Sequence, residues 1–149
     1  MQNTFEKITL DNGLRLILAP LPAFRSITAI ILCGAGSRYE TRETNGVSHF
    51  LEHMFFKGTK SRPTAAEISH ALDEIGADYN AFTGKETTGY HIKSASEHLP
   101  LILEMLSDML WNSKFDEAEI EKERGVIIEE LNLYEDTPMR RVSEVYEQV

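Results

Sequence analysis

The sequence holds one cysteine, Cys33, in 149 residues. That excludes an internal disulfide and any zinc cluster built on several thiolates. Cysteine usage this sparse suits a reducing compartment. Long apolar runs are also missing. No stretch reaches the roughly 18 residues of a membrane span, so a membrane partner is not expected. The opening segment, "MQNTFEKITLDNG", lacks the basic start and apolar core of a secretory signal and the Arg-rich character of an organellar leader. The expectation is a cytoplasmic, bacterial protein. Positive charge is scarce as well: 15 Lys and Arg against 24 Asp and Glu leave a net charge of −9. Binding to phosphate backbones needs a basic patch, so nucleic acid is not an expected partner. Repeats, linkers and low-complexity tracts are absent.

What remains is ordinary globular material, 42% hydrophobic and 26% charged, enough for one domain. Residues 4–20 read as a β-hairpin around Asp11-Asn12-Gly13. An Ile-rich strand follows over 26–36. Gly46–Phe56 reads as a helix. A Thr64-x-x-Glu67 capping box opens the next helix, and Gly76 closes it. Strands are expected at 77–83 and 87–93 around Gly84-Lys85. Two further helices follow, one strongly apolar over 96–112 and one acidic from Asp116. Thr137-Pro138 begins another. This order, with hairpin connections, predicts an α+β, two-layer domain: helices packed on one face of a mixed, largely antiparallel sheet. Beyond Met139, apolar residues recur at Val142, Val145, Tyr146 and Val149 until the chain stops without a cap. The expectation is that 1–149 form the N-terminal part of a single domain, truncated at its C-terminal end.

The chemistry gathers in "HFLEH", residues 49–53. Residues four apart on a helix share a face, so His49 and His53 point the same way. Two neutral imidazoles so placed can reach one Zn²⁺ at about 2.0–2.1 Å. Glu52, on the flank of that face, is placed to take a proton from water that a metal has acidified. Catalytic zinc usually has three protein ligands, so a third must come from elsewhere. The acidic segment 116–136 can supply it. Glu123 and Glu130 are two turns apart on one face and flank Val126, Ile127 and Ile128. A carboxylate beside a buried apolar stripe needs a partner. Spacing alone does not choose between Glu129 and Glu130. His70, His91 and His98 have no partner at ligand spacing, and Cys33 reads as a buried strand residue.

Three blocks carry a resemblance: "GAGSRYE" with "NGVSHFLEHMFFKGT" (34–59), "NAFTGKETTGY" (80–90) and "ERGVIIEELN" (123–132). In that order they resemble the inverzincin zinc metallopeptidases, the family of pitrilysin, insulin-degrading enzyme and mitochondrial processing peptidase. The likeness is greatest to its bacterial, processing-peptidase-like branch. The resemblance implies His49, His53 and Glu130 as zinc ligands, Glu52 as general base, and Glu123 as the residue that orients a ligand or the water. It implies that Asn80 and Ala81 pair an extended peptide onto a sheet edge, and that Phe56 and Phe82 line the pocket beside the scissile bond. Ordinary core packing is the other reading of those two aromatics. Members of the family resemble clamshells, so a C-terminal half or a partner subunit is expected to close over the peptide. Two functions follow: a zinc endopeptidase, or its catalytic N-terminal fragment, acting on extended or unfolded polypeptides; or a non-catalytic peptide-binding or partner subunit of the same fold.

Overall fold

The structure, a computed structural model, describes residues 5–139 together with Val142 and Tyr146. The first two strands, β1 (Glu6–Thr9) and β2 (Arg15–Leu18), form an antiparallel hairpin with Lys7 opposite Ile17. Gly13 takes the positive φ of the turn, and Asn12 Oδ1 accepts from the Leu14 N–H, as an Asx turn requires.

The main sheet contains β3 (Ser26–Cys33), β4 (Asp78–Thr83) and β5 (Thr88–Ala95) in the order β3-β5-β4, with both ladders antiparallel. The chain leaves β3, passes through helices α1 (Val47–Met54) and α2 (Ala65–Glu74), and enters β4 in the direction of β3. β5 then returns between them. A mixed sheet was expected. Among the described residues no parallel pair forms, because β5 occupies the position where β3 and β4 would have met. The first hairpin also stands as a separate two-stranded sheet. β3 ends at Cys33 rather than 36, and the chain passes through a 3₁₀ turn at Ser37–Tyr39. The α+β class itself is as expected.

Period-two alternation decides which sheet face is covered. Ile27, Ala29 and Ile31 of β3, Tyr79 and Ala81 of β4, and Tyr90 and Ile92 of β5 pack with the core. The helices supply Ile68 and Leu72 from α2, and Ile102, Met105, Leu106 and Met109 from α3 (Leu99–Trp111). These α3 positions follow the three-and-four spacing of one helix face. Leu72 and Ile102 are fully buried, worth about 1.5–3 kcal/mol each by transfer. The outer face keeps Ile30, Leu32 and Phe82 exposed. Phe82 lies across Gly89, where an added Cβ would come within 2.5 Å of its ring and push that exposed side chain aside.

The capping box at Thr64 is present in both directions: Thr64 Oγ1 accepts from the Glu67 N–H, and Glu67 Oε2 accepts from the Thr64 N–H. The acidic segment forms α4 (Glu117–Glu135), started by Asp116 and packed on α1. Its run Val126-Ile127-Ile128 is not the buried stripe expected: Val126 and Ile128 are about half exposed, and the buried residue of α4 is Glu123. Of the C-terminal apolar positions, Val142 and Tyr146 are helical and exposed, while Val145 and Val149 lie outside the described residues.

Candidate metal centre

Helix α1 carries the centre, and its start is fixed from outside. Gly46 sits at the N-cap with φ 89°, where a side chain would be strained. It offers no side-chain cap. Glu40 does that work instead, accepting from the N–H groups of Gly46 at 2.7 Å and Ser48 at 2.8 Å. Burial pushes the Glu40 carboxyl up, but the bonds from Ser48 and Gly46 outweigh it and hold its pKa below the ordinary value. The segment beyond α1 is held as well. Asp108 of α3, only 5% exposed, accepts from Thr59 Oγ1 at 2.5 Å, Ser61 Oγ at 3.3 Å and Asn112 Nδ2 at 3.0 Å.

Between these anchors, His49 and His53 face the same way. Their Nε2 atoms are 3.2 Å apart. Glu130 of α4 places Oε2 3.7 Å from His49 Nε2 and 3.5 Å from His53 Nε2, while its Oε1 accepts from the Tyr134 hydroxyl at 2.8 Å. Four ligands at about 2.0–2.1 Å around a tetrahedral ion stand roughly 3.3 Å from one another. The observed edges lie close to that figure, so the donor set fits Zn²⁺ in size and chemistry. These three form the one group of three or more His, Cys, Asp or Glu of metal-holding geometry among the described residues. Glu129, the residue that spacing left in contention, is exposed.

Glu123 stands behind His53. It is 3% exposed and takes His53 Nδ1 at 2.8 Å on Oε1 and Lys57 Nζ at 2.5 Å on Oε2. Burial pushes its carboxyl up; the hydrogen bonds from Lys57 and His53 outweigh that and hold its pKa below the ordinary value. Because a carboxylate only accepts, His53 Nδ1 is the donor, and in the neutral ring Nε2 then carries the lone pair on the side of Glu130 and His49.

Glu52 points to the other side, toward the sheet, where its Oε2 accepts from Thr83 Oγ1 at 2.5 Å. It opens onto a cleft of about 250 Å³ lined also by His53, Phe56, Lys57, Asn80, Ala81 and Glu123. One wall of the cleft is thus β4, an edge strand with one side unpaired among the described residues. A larger hollow, about 600 Å³, lies between the first hairpin and β3, lined by residues such as Phe5, Ile17, Leu18 and Ile27. Among the described residues no metal-holding group borders it; the His49, His53 and Glu130 group includes His53, which lines the smaller cleft.

The sequence-predicted residues therefore come together with one exception. Phe56 borders the cleft and stacks on Tyr79 at 6.1 Å. Phe82 instead lies on the outer sheet face over Gly89 and Leu32, because alternation along β4 turns it away from Ala81 and Thr83. His70 and His98 stand beside Glu74 and Glu97, remote from the donor set, and Cys33 is half-buried rather than buried. Sequence reasoning missed Lys57, Thr83, Tyr134 and Glu40. Lys57 and Tyr134 lie four residues after His53 and Glu130, a spacing that could have pointed to them. Thr83 and Glu40 meet their partners only through the tertiary fold.

Residues 17–148 match the family described as Insulinase (Peptidase family M16). The chain belongs to that family. It is 48% identical over 133 residues to the Uncharacterized zinc protease YmxG of Bacillus subtilis (strain 168), covering 89% of this chain and 32% of that one. It is 44% identical over 122 residues to the mitochondrial-processing peptidase subunit beta of Rattus norvegicus, covering 82% and 24%. The crystal structure of a protease from Helicobacter pylori superposes with a TM-score of 0.87 at 30% identity, over 93% of this chain and 34% of that one. This M16 chain thus spans between 24% and 34% of the length of these three relatives.

Proposed function

We propose that the chain carries the metal centre and general base of a zinc-dependent endopeptidase that hydrolyses peptide bonds in extended or unfolded polypeptides. The observation that carries this reading is the convergence of His49 Nε2, His53 Nε2 and Glu130 Oε2 within 4.8 Å of one another beside the Glu52 cleft. Zinc held by these three residues would supply Lewis acidity and a water whose pKa falls toward about 7. The chain supplies the rest. Glu52 takes the proton from the attacking water and returns it to the leaving amine. Thr83 fixes the Glu52 carboxylate. Glu123 holds the ring of His53 in orientation. β4 offers its open edge at Asn80 and Ala81 to the backbone of an extended peptide, a mode that reads main chain rather than side chains.

Positioning and oxyanion stabilisation need more than this chain, and a further half or partner subunit closing over the peptide would provide them. Among the described residues no helix is long and apolar enough to cross a membrane. Glu52 lines the same cleft as His53, a metal-holding residue, and that arrangement supports the enzyme reading over a peptide-capturing subunit without catalysis.

The test is cleavage of a flexible peptide of about 20 residues, followed by mass spectrometry, with the protein at its full natural length. Zinc-dependent products that disappear in a Glu52→Gln variant still able to bind zinc are the expected result. Cleavage that persists unchanged in that variant would remove Glu52 from the chemistry.

A further inference from the structure

Lys57 has no part in the reading above, yet it is tied to the metal centre. Glu123 is the most deeply buried charged residue among those described, and each of its oxygens has a separate partner. Oε1 faces His53 Nδ1 and Oε2 faces Lys57 Nζ. The hold on His53 needs Oε1 turned toward the ring. That orientation depends on what happens at Oε2. Without the ammonium, Oε2 would be a buried acceptor with no counter-charge, a costly state that a carboxylate relieves by turning toward another donor. Turning releases Nδ1 of His53, and the ring is then free to carry its proton on Nε2, the atom that must ligate. The Lys57 side chain is 27% exposed and borders the cleft, so packing alone does not confine it; the contact with Glu123 does.

We propose that Lys57 is a positioning residue of the metal centre: acting through Glu123, it fixes His53 in the tautomer whose Nε2 is free for zinc. This rests on the zinc reading above and deepens it. Lys57 touches neither the donor atoms nor the base, so its effect is read on metal affinity and on the His53 ring, not on proton transfer.

The experiment measures zinc affinity by competition with a chromogenic chelator for the unaltered protein, Lys57→Met, Lys57→Arg, Glu123→Gln, and Lys57→Met combined with Glu123→Gln. Nitrogen NMR of the metal-free protein reports the His53 tautomer. Lys57→Met is expected to weaken zinc binding about 10–100-fold and to convert the His53 ring to a mixture of tautomers. Lys57→Arg, which keeps the charge and the donors, restores affinity to within about threefold. In the Glu123→Gln background, Lys57→Met has no further effect. The proposal is overturned if Lys57→Met binds zinc as tightly as the unaltered protein, or if its effect is equally large with Glu123 already replaced. Circular dichroism checks each fold; if Lys57→Met unfolds, Lys57→Gln carries the same comparison with the same outcomes. Failure of the unaltered protein to bind zinc would sink the metal reading itself, and that result is distinct from any difference among the variants.

Discussion

Two buried carboxylates, Asp108 and Glu123, show how one kind of residue is put to two uses. Both lie almost out of solvent, on neighbouring helices in sequence. Asp108 is satisfied mainly by neutral donors, two hydroxyls and an amide, with Arg62 at 3.6 Å. Its partners lie in the loop after α1 and at the end of α3, so it ties the fold together. Glu123 is satisfied by an ammonium and by an imidazole whose other nitrogen faces two further donors. Its partners lead to the candidate metal centre. Burial alone does not mark a carboxylate as functional; the identity of what it holds does.

The sharpest way to test that contrast is to exchange the two lesions. Glu123→Gln is expected to weaken zinc binding about 10–100-fold while shifting thermal unfolding little, measured by chelator competition and calorimetry. Asp108→Ala, which leaves Thr59, Ser61 and Asn112 without their acceptor, is expected to cost about 1–3 kcal/mol of stability, with the zinc affinity of the folded molecules unchanged. Equal effects of both substitutions on zinc would erase the distinction between them.

A smaller effect tests the link between base and strand. Thr83→Val removes the hydroxyl that Glu52 accepts from, and peptide cleavage should fall about tenfold in kcat with KM and zinc affinity held, since a hydrogen bond to a charged group is worth about 1.5–3 kcal/mol at most. Thr83→Ser should restore the rate. A raised KM at constant kcat would place Thr83 in peptide binding instead.

The smallest expected effect concerns the entry to α1. The Glu40 and Glu123 carboxyls both lie below their ordinary values. A depressed carboxyl contributes stability that is complete above the unfolded pKa, about 4.3 for Glu, and is lost as pH falls through the folded value. Acid denaturation should therefore steepen below about pH 4. Glu40→Ala should flatten that limb and cost roughly 0.5–1 kcal/mol at neutral pH, as loss of a helix cap does; solvent screening keeps the figure low. An unchanged acid limb in Glu40→Ala would mean that Glu40 does not secure α1.

How much of this could be read from the sequence follows from how local each feature is. The His49–His53 face, the Thr64 box and the turn at Gly13 depend on residues within a few positions of one another, and each stands where the spacing puts it. The face shared by Glu123 and Glu130 was legible from their separation of two turns, whereas the preference for Glu130 over Glu129 came from family likeness, not from spacing. Sheet order was not legible, because nothing in the β4 or β5 sequence says that β5 returns between β3 and β4. Phe82 was misplaced for a related reason: the block "NAFT" looks continuous, but strand alternation sends Ala81 and Phe82 to opposite faces. By sequence the apolar run of α4 reads as a core stripe, yet hydrophobicity without a facing layer does not bury a residue, and Val126 and Ile128 stay exposed.

His49, His53 and Glu130 are expected to hold one zinc ion together. Zinc titration of the unaltered protein beside Glu130→Gln and Glu129→Gln tests it most directly. One equivalent bound by the unaltered protein and by Glu129→Gln, with affinity sharply reduced in Glu130→Gln and the fold intact, is the predicted result. Undiminished binding by Glu130→Gln, or loss of binding in Glu129→Gln, would contradict it.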